Sequence, residues 1–210
     1  MSEKKAGNTG MLKLGLILAL YATAACVGLA FVYAGTEKVI AQRQEADLEA
    51  SLKDLFPDAD SFEPITGVVC SDPAVTIEEG GVFAAVKDGR SIGLALRTSR
   101  ASYGGAIKIL VGVGMDGKIC GVRILEHNDT PGLGANAGSA NYYVDRAKGI
   151  HFYDQFTGKN VNDPFVPKQD VAAITAATIT SRAVAESVKA AGEAALAWFA
   201  SAANAQGGSR

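Results

Sequence analysis

Between Lys13 and Glu37 the chain has no charged residue: the 23-residue run from Leu14 to Thr36 reads LGLILALYATAACVGLAFVYAGT. As a helix rising 1.5 Å per residue it would extend roughly 35 Å, enough to cross a hydrocarbon core of about 30 Å. Three other readings fit less well. A cleaved signal peptide has an apolar core of roughly 7 to 15 residues. A lipoprotein site at Thr23-Ala24-Ala25-Cys26 would need an aliphatic residue where Thr23 stands, and apolar sequence continues past Cys26 to Val32. A buried core helix should show a polar stripe, which this run lacks. The sequence therefore predicts one uncleaved transmembrane helix over 14–36, and this helix accounts for a mean hydropathy of +0.14 over the whole chain.

The flanks orient it. Lys4, Lys5 and Lys13 precede the span, whereas Glu37, Lys38, Arg43, Glu45, Asp47 and Glu49 follow it. By the positive-inside rule residues 1–13 are cytoplasmic and the rest faces the outer, periplasmic side of a cell inner membrane. Beyond residue 34 the chain holds 17 basic against 21 acidic residues, so the exported part is acidic. With that balance a nucleic-acid partner is not expected, since phosphate neutralisation needs a basic face. With 24 Gly, 6 Pro and 3 Cys in 210 residues, collagen-like, disulfide-scaffold and wholly disordered classes are excluded as well.

Residues 37–57 read as a stalk: EKVIAQRQEADLEASLKDLF has a partial apolar stripe through Leu48, Leu52, Leu55 and Phe56, and Pro57 stops the helix. A domain over 58–200 follows, then a flexible tail over 201–210. Gly81–Lys87 and Ile92–Thr98 form one expected hairpin around Asp88-Gly89-Arg90-Ser91, and Ala106–Val113 and Ile119–Leu125 form another around Met115-Asp116-Gly117-Lys118. Residues 126–141 are polar and glycine-rich, a loop able to approach a ligand closely. A short helix is expected within 142–156, a strand-like piece near Val171–Ile174, and a long helix from about Ser181. Val184, Val188, Ala191, Ala195 and Phe199 form one stripe of that last helix. The fold class is α/β of the α+β type, a mainly antiparallel sheet with flanking helices.

Few residues suggest catalysis. His127 and His151 lack a neighbouring nucleophile and read as loop residues, and Trp198 reads as core packing. No metal site is expected, because no CxxC, HExxH or Cys/His cluster exists. Cys70 and Cys120 could be two separate thiols or a bridge, and spacing leaves both open.

Two segments carry chemistry. Thr175, Thr178, Thr180 and Ser181 cluster before the last helix; helix capping explains one such hydroxyl, and a phosphate at the helix N-terminus is the competing reading. Asp129-Thr130-Pro131-Gly132-Leu133-Gly134 suits a type II turn, and its bare backbone and lone Leu133 would also suit a flat aromatic ligand.

The stretch DGKICGVRILEHNDTPGLG, the Tyr103-Gly104-Gly105 strand start before it and AITAATITSRAV after it resemble the FMN-binding domain of the G-subunit family of Rnf electron transport complexes, with the C-subunit family of the sodium-pumping NADH:quinone reductase a close relative. The resemblance implies a covalent FMN, joined by a flavin transferase through its phosphate to the last threonine of a Ser/Thr-Gly-Ala-Thr motif. Here that motif is Thr175-Ala176-Ala177-Thr178, which makes Thr178 the attachment residue and Thr180 the second choice. The TPGLG loop would lie beside the flavin, with Thr130, Gly132, Leu133 and Gly134 as contacts, and Thr175 and Ala177 would complete the site. Ala176 replaces the usual Gly, and Ala172 stands where Asp is common. The methyl of Ala176 matters only if that position needs φ above zero. The function implied is an electron-transfer subunit, not catalytic alone, in a membrane complex coupling ferredoxin and NAD to ion translocation. Its partners would be the other subunits. The competing assignments are a sodium-pump C subunit and a flavin-free tethered structural or sensing module.

Overall fold

The computed structural model describes residues 8–207, so Lys4 and Lys5, on which the orientation partly rests, and residues 208–210 of the expected tail lie outside it. The chain divides into two units, one ending at Asp47 and the other beginning at Leu48. Helix α1 (Asn8–Leu55) runs through the first unit into the second. From Gly10 it is long and apolar enough, by length and composition, to cross a membrane, and residues 14–36 are all exposed. It stops just before Pro57, whose ring cannot continue a helix.

The second unit is built on a five-stranded antiparallel sheet with strands in sequence order: β1 (Ser61–Pro64), β2 (Val75–Lys87), β3 (Arg90–Ala101), β4 (Ala106–Gly114) and β5 (Ile119–Glu126). Both expected hairpins form. The β2–β3 turn is tighter than its four expected loop residues, because Asp88 and Gly89 alone make it, with φ of 49° and 72° as a two-residue type I′ turn requires. β2 also begins earlier than expected. Glu78, Glu79 and Gly80 interrupt its apolar alternation at a bulge between Ile77 and Val82. β1 has no counterpart among the expected strands: four residues ending in proline show no period, yet Ser61 pairs with Val86 and Pro64 with Phe83.

The period of two sorts the strands into two faces. Leu94, Leu96, Ile107, Ile109, Val111 and Val113 face the main core with the predicted stripe of the last helix, α2 (Thr178–Gly207), where Val184, Val188, Ala191 and Ala195 are fully buried. Phe152, Phe156 and Phe165 complete that core. Trp198 packs against it, edge-on to Phe199. On the opposite face Ala85, Ala95 and Leu110 meet Leu52, Leu55 and Phe56 from the end of α1. Glycines make this floor flat. A Cβ on Gly93 would stand 2.6 Å from the Phe56 ring, and one on Gly121 would stand 2.8 Å from Leu55.

The region between sheet and helix corrects three expectations. No helix occupies 142–156: β6 (Tyr143–Asp145) and β7 (Ile150–His151) pair as a small hairpin, and a 3-10 turn follows at Asp154–Phe156. The Asp145 carboxylate accepts the Ala147 and Lys148 amides and Gly149 takes φ of 68°, local turn bonds that compete with a helix. Val171 makes only a single bridge, to Pro167, so no strand forms at 171–174. Helix α2 starts at Thr178, three residues before the expected Ser181, and continues to Gly207, through the described part of the expected tail. Cys70 and Cys120 are separate, half-buried thiols. His151 is held by Asp154 and the Ala140 carbonyl.

Candidate functional site

Three chain segments, distant in sequence, enclose a cavity of about 430 Å³: the β3–β4 turn at Tyr103, the loop after β5 from Asp129 to Gly134, and Ala176–Thr180 at the start of α2. Asp129 ties them together. Its Oδ2 accepts the Ser102 hydroxyl at 2.6 Å and the Thr180 hydroxyl at 2.7 Å, and its Oδ1 accepts the Gly104 amide at 2.5 Å. Burial pushes the Asp129 carboxyl up, but the bonds from Ser102, Thr180 and Gly104, with His127 nearby, outweigh it and hold it below its ordinary value of 3.8. The close approach needs bare backbone. A Cβ on Gly134 would meet Asp129 Oδ2 and Thr180 Oγ1 at 2.6 Å, and one on Gly104 would overlap the Asn128 carbonyl.

A depressed folded value makes this carboxylate stabilising above its unfolded pKa, and the contribution disappears as pH falls through the folded value. Urea titrations of the wild type and Asp129→Asn are therefore expected to show a gap of about 1–3 kcal/mol near pH 6 that narrows below about pH 3.8. A constant gap down to pH 3 would mean that the folded-state value is not depressed below the unfolded one.

The four hydroxyls before α2 have different partners. Ser181 is buried; it accepts the Ile174 amide and donates to the Ala177 carbonyl, a local brace. Thr180 is buried and bound to Asp129. Thr175 is exposed, with its amide on the Tyr142 hydroxyl, and it does not line the cavity. Thr178, the first residue of α2, is exposed, lines the cavity and has no side-chain hydrogen bond within the described residues. The amides of Thr178, Ile179 and Thr180 likewise have no acceptor within the described residues, as expected for the open first turn of a helix.

Of the residues expected at the site, Thr130, Leu133, Gly134, Ala177, Thr178 and Thr180 line the cavity, whereas Gly132 and Thr175 do not. Gly132 instead forms the type II turn, with φ of 78° and the Leu133 amide bonded to the Thr130 carbonyl. Asp129, Tyr103, Ala176 and Ile179 also line it, and sequence reasoning does not single them out as site residues. The partners of Asp129 lie 25 to 51 residues away, so no local spacing marks it. Tyr103 has a signal, its place before Gly104-Gly105. The rim is apolar and open: Tyr103 is 73%, Ile179 56% and Leu133 41% exposed. Apolar side chains around a cleft, beside open amides, suit a ligand with a flat apolar body and an anionic end.

Ala176 has φ of 59°, so the condition under which its methyl matters is met. A left-handed conformation costs a non-glycine residue about 1 kcal/mol. Ala176→Gly is expected to raise unfolding stability by roughly 0.5–1 kcal/mol in denaturant titration. A loss of stability would show that the loop tolerates the methyl.

Comparison with known proteins bears on the same residues. The FMN-binding domain family matches residues 102–193, and the RnfG N-terminal region matches residues 1–55. The chain is 35% identical over 166 residues to the G subunit of the proton-translocating ferredoxin:NAD(+) oxidoreductase complex of Clostridium ljungdahlii, covering 77% of this chain and 78% of that one. It is 32% identical over 194 residues to the G subunit of the Na(+)-translocating ferredoxin:NAD(+) oxidoreductase complex of Acetobacterium woodii, covering 84% and 87%. Against the G subunit of the ion-translocating oxidoreductase complex of Aliivibrio fischeri it is 31% identical over 205 residues, covering 86% and 88%.

Proposed function

Because this chain belongs to the family of G subunits of Rnf-type ion-translocating oxidoreductase complexes, we propose that it is a membrane-anchored electron-transfer subunit with one FMN ester-linked to Thr178. The observation that carries the attachment is the state of the Thr178 hydroxyl: exposed, unbonded among the described residues and on the cavity wall, while Thr180 and Ser181 are buried and engaged. Thr180 is thereby the weaker acceptor.

FMN supplies reversible electron uptake at its ring; the protein supplies position and environment. The open amides of Thr178, Ile179 and Thr180, at the positive end of α2, stabilise the charge a phosphodiester keeps. Tyr103, Leu133 and Ile179 provide apolar surface for a ring, and Gly134 keeps the wall between Asp129 and Thr180 thin. Thr130, at the cavity edge, offers a hydroxyl to polar atoms of the ligand. A tether through the phosphate leaves the ring unmodified and fixes full occupancy on the outer side of the membrane, where free FMN would be lost.

The partners in this reading are the other subunits of the complex, which bring donor and acceptor sites, and a flavin transferase during maturation. Helix α1 is the anchor. In this reading residues 1–13 are cytoplasmic, 14–36 span the membrane, and the stalk over 37–57 and the flavin domain over 58–200 lie outside; the basic residues before the span support this orientation. Intact mass tests the attachment. Full-length protein made with a flavin transferase is expected to exceed the chain mass by one FMN less one water, as an ester bond between threonine Oγ1 and phosphorus requires. An unmodified mass under those conditions would sink the covalent reading and favour a flavin-free tethered module.

A further inference from the structure

We propose that Asp129 sets the reduction potential of the bound flavin, its fixed negative charge in the cavity wall disfavouring added electron density beside it. The inference rests on the preceding reading that FMN occupies this cavity. Every other residue that lines the cavity is neutral: threonine, tyrosine, leucine, isoleucine, alanine or glycine. No lysine or arginine is among them, and Asp129 forms no ion pair among the described residues; the hydroxyls of Ser102 and Thr180, the Gly104 amide and the nearby His127 offset its charge. At 5% exposure, little water reaches the carboxylate to screen it. Hydrogen bonds of this kind hold a carboxylate ionised and in place without cancelling its field. The same bonds fix the wall, so Asp129 is a positioning residue as well, and the two roles must be told apart by sign.

The sign differs between two substitutions. Asp129→Asn removes the charge and keeps an oxygen for the Ser102 and Thr180 hydroxyls. Ser102→Ala keeps the charge and removes one dipole that offsets it. Full-length protein, loaded with FMN by co-expression with the transferase, is titrated anaerobically at about pH 7.5 with dithionite and reference dyes. At the potential that half-reduces the wild type, Asp129→Asn is expected to raise the ratio of reduced to oxidised flavin roughly tenfold, the effect of one poorly screened charge within about a nanometre. Ser102→Ala is expected to lower that ratio by a smaller factor. A purely structural role would move both variants the same way or neither, and either result overturns the proposal. If Asp129→Asn retains no flavin, Ser102→Ala decides alone: a lower ratio supports the proposal, and an unchanged or higher one overturns it. Denaturing-gel fluorescence precedes the titration. A wild-type protein without a flavin band fails the earlier reading, and this one with it, whereas a bound flavin with coincident titrations fails this one only.

Discussion

Thr178→Val is expected to abolish the flavin fluorescence that stays with the polypeptide on a denaturing gel, while leaving unfolding stability within about 0.5 kcal/mol of the wild type. Thr180→Val is expected to do the reverse, keeping the fluorescent band and costing about 1–3 kcal/mol in denaturant titration. The contrast follows from position. Valine has the same branched shape as threonine, so each substitution removes one hydroxyl and little else. At Thr178 that hydroxyl is exposed and bonds to nothing among the described residues. At Thr180 it is 1% exposed and donates to Asp129, so its loss leaves a buried carboxylate one donor short where two chain segments meet. A band that survives Thr178→Val and disappears in Thr180→Val would move the ester to the buried residue. The first turn of α2 would then have to open for modification.

Phe56→Ala should destabilise the second unit by about 3–5 kcal/mol, the range for removing a buried aromatic ring from a site that cannot collapse. The ring is 5% exposed and lies on the glycine floor, 2.6 Å from where a Gly93 Cβ would be and 3.2 Å from a Gly112 one. Gly93 and Gly112 beneath the ring have no side chains to move into the vacated space. Denaturant unfolding of the full chain, followed by tryptophan fluorescence from Trp198 in the other layer, measures it. A loss under about 1 kcal/mol would mean that Leu52 and Leu55 hold this face without the ring.

Which parts of the fold can be read from sequence follows from the range of the signals. The apolar run at 14–36, the stripe from Val184 to Phe199 and the two glycine turns are local patterns, and each appears in the structure as a helix or hairpin. β1 escapes such a reading because its partner, not its own four residues, makes it a strand. The hairpin at Tyr143–His151 reads as a helix because its turn is fixed by the Asp145 carboxylate and Gly149, which no hydrophobic period announces. The site divides the same way. Thr178 and the Pro131-Gly132 turn stand in continuous motifs. Asp129 becomes the hub only once Ser102, Gly104 and Thr180 surround it.

The seat of Leu55 and Phe56 on the sheet decides where the protein can be divided. The last two turns of α1 cover the face of the sheet opposite α2, with Leu52, Leu55 and Phe56 each about 95% buried against it. A protease that cuts after Pro57 would strip this cover and leave an apolar, glycine-floored surface for a second molecule to adhere to. A cut between Thr36 and Leu48 would leave the cover attached. The release of a soluble FMN-binding domain from its membrane therefore depends less on losing the lipid-soluble segment than on keeping the nine residues, Leu48 to Phe56, that follow Asp47.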